Sequence, residues 1–166
     1  MNNTFKIAVI GLGQIGNYLY NELKIKKKDI ELKTGRKIKV VGISAKSKNK
    51  KRKFKIDKYI FYSDPFKMIR EVKPNVIFEV IGQSDGISKR IVEYALKKKI
   101  NVITPNKALL AKHGNNLAKL AEKYKVNLEF EASVAGGVPI LRTIKESLGT
   151  NKISKVYGIL NGTTNY

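Results

Sequence analysis

Cysteine and tryptophan are both missing from the 166 residues, histidine occurs once, and there are four prolines. Without cysteine there is no disulfide framework, no thiolate metal site and no thiol nucleophile, and nothing points to an oxidising compartment. Acidic side chains are also scarce: 13 Asp and Glu stand against 34 Lys and Arg, a formal net charge of +21. The first ten residues, MNNTFKIAVI, carry one charge and run into glycines rather than a small-residue cleavage site. No stretch approaches the roughly 18 apolar residues of a membrane span. With 42% hydrophobic residues, the chain can bury the core of one domain or slightly more, which excludes disorder for most of its length. The expectation is a soluble, cytoplasmic protein.

The positive charge is unevenly spread. Between Lys24 and Lys58 there are 16 basic and three acidic residues, +13 of the +21. Of all the basic residues 29 are Lys and five are Arg, which suggests a lysine-rich proteome bias as much as a function. The run KSKNKKRKFK has one aromatic, and no helix-turn-helix, zinc-finger or RNP-like pattern accompanies it. It is expected to be a solvated loop; the alternatives are a more local role for one or two of these side chains and, least favoured, a dedicated nucleic-acid site.

Apolar runs bounded by turn residues alternate with helix-period segments, the pattern of a parallel sheet with crossover helices. The strand candidates are Lys6–Ile10, Lys39–Ile43, Val76–Val80, Asn101–Ile103 and Asn127–Phe130. Helical spacing covers Gln14–Lys24, Pro65–Val72, Ser88–Lys98, Ala108–Lys123 and Pro139–Leu148, with a kink expected at Gly114. A further strand is expected in ISKVYGIL, from Ile153. In such a sheet, ligands bind beyond the carboxyl ends of the strands. Those ends here read GLGQIG, SAKSK, IGQSDG, TPNKA and EASVAGG, so one crevice gathers them all.

Gly11, Gly13 and Gly16 form G-x-G-x-x-G directly after KIAVI, at a helix start. Gly11 permits the tight turn, Gly13 lets the backbone approach a pyrophosphate, and Gly16 packs helix on strand. An ordinary glycine-rich turn is the alternative. No carboxylate stands at the end of the second strand for a ribose diol; the residues are Ser44, Ala45 and Lys46. Lys46 either neutralises a 2′-phosphate or begins the solvated run. Lys107, in TPNK, either points toward the nicotinamide side, where it can polarise a carbonyl or pair with a carboxylate, or is a surface lysine. The loop from Glu131 to Pro139 either turns carbonyls toward a hard cation or makes a plain turn. His113 reads as solvent-facing or packed, and Asp85 as a helix cap.

KIAVIGLGQIG, VIFEVIGQSDG, INVITPNKALLAKHG, LEFEASVAGGVPILRTIKESL and ISKVYGILNGTTNY together resemble, in order and over the whole chain, the N-terminal half of homoserine dehydrogenase. TPNKALLA, EASVAGGVPI and GILNGTTNY are far more specific than the glycine fingerprint. The resemblance implies an α/β, Rossmann-type doubly wound parallel sheet over residues 1–130, then the first elements of an α+β catalytic and dimerisation domain over 131–166. It implies reversible NAD(P)H-dependent reduction of L-aspartate 4-semialdehyde to L-homoserine, in the branch toward threonine, methionine and isoleucine, by a homodimer or higher homo-oligomer. The alternative is a non-catalytic dinucleotide-binding module.

The resemblance also assigns residues. Gly11, Leu12, Gly13, Gln14, Ile15 and Gly16 would hold the pyrophosphate of NADP, or also NAD. Lys46 would meet the adenosine ribose or its phosphate, and Ile81, Gly82 and Pro105 would line the cofactor. Lys107 matches the first of two active-site lysines. Glu131, with the carbonyls of Val134, Gly136 and Val138, matches a monovalent-cation site for sodium or potassium. Gly162 and Thr163 match a loop touching substrate. The second lysine and the acidic residues that hold the substrate lie, in the family, downstream of the NGTTNY match, so the chain is expected to be a fragment.

Overall fold

The computed structural model describes residues 4–158. Strand β1 (Phe5–Ile10) leads through helices α1 (Gln14–Ile25) and α2 (Lys27–Thr34) to β2 (Ile38–Ser44). A short β3 (Phe61–Tyr62) and helix α3 (Pro65–Val72) precede β4 (Val76–Glu79). Helix α4 (Ile87–Lys97), β5 (Asn101–Ile103), α5 (Lys107–Tyr124) and β6 (Leu128–Glu129) follow. The strands form one sheet in the order β3-β2-β1-β4-β5-β6, every pairing parallel. This is the expected Rossmann-type doubly wound sheet. Its order reverses between β1 and β4, so the crevice opens where Ile10 and Glu79 lie side by side.

Both faces of the central strands are covered, which is why they read as unbroken apolar runs rather than alternating ones. In β1, Ala8 and Ile10 pack with Met68, Ile91, Leu96, Leu109 and Leu117 from α3, α4 and α5. Ile7 and Val9 point the other way, to Tyr20 and Leu23 of α1. Helix α2 escapes the periodicity reading because it has no apolar face: none of its residues is buried. Helix α5 runs unbroken through Gly114.

Two expected elements are different in the structure. In place of a helix over Pro139–Leu148 there is one helical turn, α6 (Ile140–Arg142), and a wider π-type turn over Thr143–Ser147. The Thr143 hydroxyl bonds back to the Pro139 carbonyl at 2.7 Å, competing with the regular ladder, and the Leu148 N–H reaches Thr143 five residues back. The strand expected from Ile153 is absent over 153–158, where no strand among the described residues supplies hydrogen bonds; its end lies outside the described residues. Among the described residues, no helix is long and apolar enough to cross a membrane.

Candidate dinucleotide site

The glycine turn is wedged between two strand ends. The Gly11 N–H donates to Ser44 at the end of β2 (2.8 Å), and the Val80 N–H donates to Ile10 at the end of β1 (2.8 Å). Gly11 has φ +100°, and a Cβ there would sit 2.7 Å from the Val80 backbone. A Cβ at Gly16 would collide with the Gly11 carbonyl and the Val80 side chain. At Gly13 there is open space instead, with no atom within 4 Å of the position a Cβ would take. Two glycines therefore serve packing, and the third leaves room for an incoming group.

Gly13 caps α1 with no side-chain hydrogen bond, and no acidic residue occupies the first turn. The positive end of the helix thus has no carboxylate in its first turn and is suited to an anion. Two cavities flank it. One, of about 750 Å³, is lined by Gly11, Ser44, Ala45, Lys46, Ile81 and Gln83 among others, without a carboxylate. The other, about 980 Å³, includes Leu12, Gly13, Gln14, Ile15, Pro105 and Ala132. Together they form a crevice across the switch point of the size and polarity a dinucleotide requires.

The lysine-rich segment is exposed, as the solvated-loop reading expects, and it is also anchored, with a local role for Arg52. Asn17 of α1, 3% exposed, pairs both ways with the Phe54 backbone, at 2.9 and 2.8 Å. The Arg52 guanidinium donates to the carbonyls of Ser47 (2.6 Å), Lys50 (2.9 Å) and Lys48 (3.2 Å), and reaches Leu12 of the glycine turn (3.4 Å). Arg52 is therefore occupied holding the loop, whereas Lys46 is exposed beside the smaller cavity.

Lys107 is the exposed first residue of α5. Its N-cap is Asn106, whose side-chain oxygen accepts the Leu109 N–H at 3.1 Å, and Pro105 lies one residue before the cap. Sequence reasoning missed what lies beneath this turn. Glu79, at the end of β4, is fully buried and bonded to Thr104 and Asn106. The signal was a lone carboxylate inside the apolar run VIFEV.

Asp85 is not a helix cap: α4 begins after Gly86 without a side-chain cap bond. The Asp85 carboxylate instead joins the β4–α4 loop to α5, accepting from Lys112 at 2.7 Å and pairing with His113 Nε2 at 2.9 Å. Lys112, His113 and the Ser84 hydroxyl hold its carboxyl well below the usual carboxylate range. Of the two readings of His113, solvent-facing or packed, the structure gives the packed one, with an unexpected partner.

Glu131 is half-buried, and its two oxygens accept the N–H groups of Leu141 and Arg142, each at 3.1 Å. The Val138 carbonyl accepts the Ile140 N–H at 2.8 Å, while those of Val134 and Gly136 take no such bond among the described residues. Gly162 and Thr163 lie outside the described residues.

Comparison with known proteins agrees with this geometry. The family described as "Homoserine dehydrogenase, NAD binding domain" matches residues 11–131, and a second, described as "Homoserine dehydrogenase", matches residues 139–166. The homoserine dehydrogenase of Neisseria gonorrhoeae is 36% identical over 160 residues, 96% of this chain and 36% of that protein. The one from Bacillus subtilis is 33% identical, over 97% of this chain and 37% of its own length. The crystal structure of a homoserine dehydrogenase from Thiobacillus denitrificans superposes with a TM-score of 0.81 at 29% identity, covering 98% of this chain and 37% of that one. The chain thus spans little more than a third of the curated relatives it matches, and over that third it belongs to the homoserine dehydrogenase family, whose NAD-binding domain the wedged glycine turn and the crevice fit.

Proposed function

We propose that this chain provides the cofactor site of a homoserine dehydrogenase, binding NADP at least as well as NAD and serving the interconversion of L-aspartate 4-semialdehyde and L-homoserine. The observation that carries the reading is the meeting of the glycine turn and the TPNK turn at one crevice on the switch point, with no carboxylate lining its ribose half. Residues 11–16 hold the pyrophosphate through backbone N–H groups at the start of α1. Lys46 meets the 2′-phosphate, and Ile81, Gly82 and Pro105 flank the ligand. When bound, the nicotinamide gives or takes hydride at its C4. Lys107 offsets the negative charge that develops on the substrate oxygen. Gly162 and Thr163 are assigned to substrate contact on resemblance alone.

Cofactor choice tests the ribose half. Titrations with NADPH and NADH at two ionic strengths are expected to show NADPH binding equally or more tightly, with the difference shrinking as salt rises. Lys46→Ala is expected to weaken NADPH ~5-fold and leave NADH unchanged, the modest size reflecting an exposed, screened pair. Clearly tighter NADH binding that ignores Lys46→Ala would refute the assignment.

Glu131, with the carbonyls of Val134, Gly136 and Val138, is proposed to hold sodium or potassium. Either ion is then expected to raise the melting temperature beyond a matched concentration of a bulky organic cation, by mass action on the folded state. Glu131→Ala is expected to abolish that increment. An equal response of the two proteins leaves the carboxylate as a cap on α6 and nothing more. Val138, Ile140, Leu148, Val156 and Tyr157 are exposed, which supports a homo-oligomer or a packed catalytic domain as their cover.

A further inference from the structure

Glu79 is a carboxylate with no measurable exposure at the switch point, and no ion pair among the described residues includes it. Neutral donors surround it. One oxygen accepts the Ile81 N–H at 2.9 Å; the other accepts the Thr104 hydroxyl at 2.7 Å and the Asn106 amide at 3.4 Å. Each donor is committed. The Thr104 oxygen itself accepts the Asn106 backbone N–H at 3.1 Å, so its single proton is left for Glu79. The Asn106 amide nitrogen has two protons, one for Glu79 and one for the Gln83 carbonyl at 2.8 Å.

The Ile81 N–H and the Asn106 amide nitrogen can only donate, so they need an acceptor at both oxygen positions of the central group. The Glu79 carboxyl group supplies an oxygen at both places, whereas the amide of a glutamine turns an NH₂ toward one of them. The same bonds join two separate loops. Ile81 and Gln83 belong to the loop after β4 and line the smaller cavity, while Thr104 to Asn106 form the turn after β5, whose Pro105 lines the larger.

We propose that Glu79 is a positioning residue of the dinucleotide site: its buried carboxylate fastens the loops after β4 and β5 to each other beneath the crevice and, through Asn106, fixes where α5 and Lys107 begin. This rests on the reading that the crevice takes a dinucleotide. Glu79→Gln preserves shape and volume, but either amide orientation sets an NH₂ against an N–H donor: Ile81 one way, the Asn106 amide the other, where the Thr104 hydroxyl also has to turn its proton away from the ring. Buried donors are left unpaired, the loops part, and binding has to re-form their spacing.

The test is a titration of the 166-residue chain with NADPH, followed by nicotinamide fluorescence at a temperature where circular dichroism shows both proteins folded. Glu79→Gln is expected to weaken NADPH about tenfold and to reduce the emission gain of the bound ring. A role in stability alone would lower the melting temperature while affinity and emission measured well below it stay as in the wild type, and that result overturns the proposal. If Glu79→Gln does not fold, Thr104→Val, which removes one donor from the ring, is expected to weaken NADPH several-fold; wild-type affinity in a folded Thr104→Val overturns it equally. Failure of the wild-type chain to bind NADPH or NADH would overturn both this proposal and the dinucleotide reading, whereas wild-type binding that both variants retain overturns this proposal alone.

Discussion

Gly16→Ala is expected to destroy cofactor binding and to destabilise the chain together, while Gly13→Ala weakens binding with stability unchanged. A methyl group on Gly16 meets the carbonyl of Gly11 and the side chain of Val80. The first is backbone at the tightest point of the turn, held by the bond from Gly11 to Ser44, and no rotamer change moves it away. The helix start has to shift off β4, at a cost of ~1–3 kcal/mol as for other overpacked sites. For a chain of this length that lowers the melting temperature by roughly 2–4 °C per kcal/mol. The displaced N–H groups no longer converge on the anion, so NADPH affinity should fall ~100-fold or more. At Gly13 a methyl group enters empty space, so the melting temperature should stay within about 1 °C while the pyrophosphate loses its close approach. Calorimetry and equilibrium titration on the three proteins separate the two glycines. Equal behaviour of the two variants would show that the crevice geometry is misassigned.

The 166-residue polypeptide is expected to bind NADPH and yet oxidise homoserine ~10⁴-fold or more slowly than a full-length family member assayed beside it. The elements in hand serve the cofactor: the glycine turn, the loop after β4 and the TPNK turn meet at one crevice. For the substrate the described residues offer Lys107, one ammonium at the start of α5. The resemblance places the second lysine, which supplies the proton, and the carboxylates for the substrate amine downstream of the NGTTNY match. General acid–base assistance is worth ~10²–10⁴-fold, and orientation of the substrate considerably more. The measurement is appearance of reduced nicotinamide at high protein concentration, with a cofactor titration on the same sample. Lys107→Ala should leave cofactor affinity within about threefold, because the role proposed for its ammonium is at the reacting end rather than at the phosphates. Turnover comparable to the full-length enzyme would show that the residues present complete the site by themselves.

Glycine spacing after a short apolar strand, buried runs alternating with helical ones and the TPNKALLA and EASVAGGVPI segments were enough to read the fold class, most of its strands and helices up to residue 130, and the family from the amino acids alone, though not α2 or β3. Those features are local, and each obeys a rule of chain geometry that needs no partner: a positive φ at Gly11, a period of 3.6 along α4 and α5, continuous hydrophobicity in a strand covered on both faces. What escaped the sequence depends on groups far apart in it. Asn17 meets Phe54 across 37 residues, Asp85 meets His113 across 28, and Glu79 meets Thr104 across 25. A polar side chain becomes a clasp, a cap or a surface group according to which donors the fold brings against it, because a buried hydrogen bond is formed only where both halves have been carried to within about 3 Å. Composition and local pattern therefore decided that there is a dinucleotide crevice and where its strands end. Only the packed sheet decided that a lysine-rich loop would be tied to it and that a buried carboxyl group, in no ion pair among the described residues, would lie beneath it.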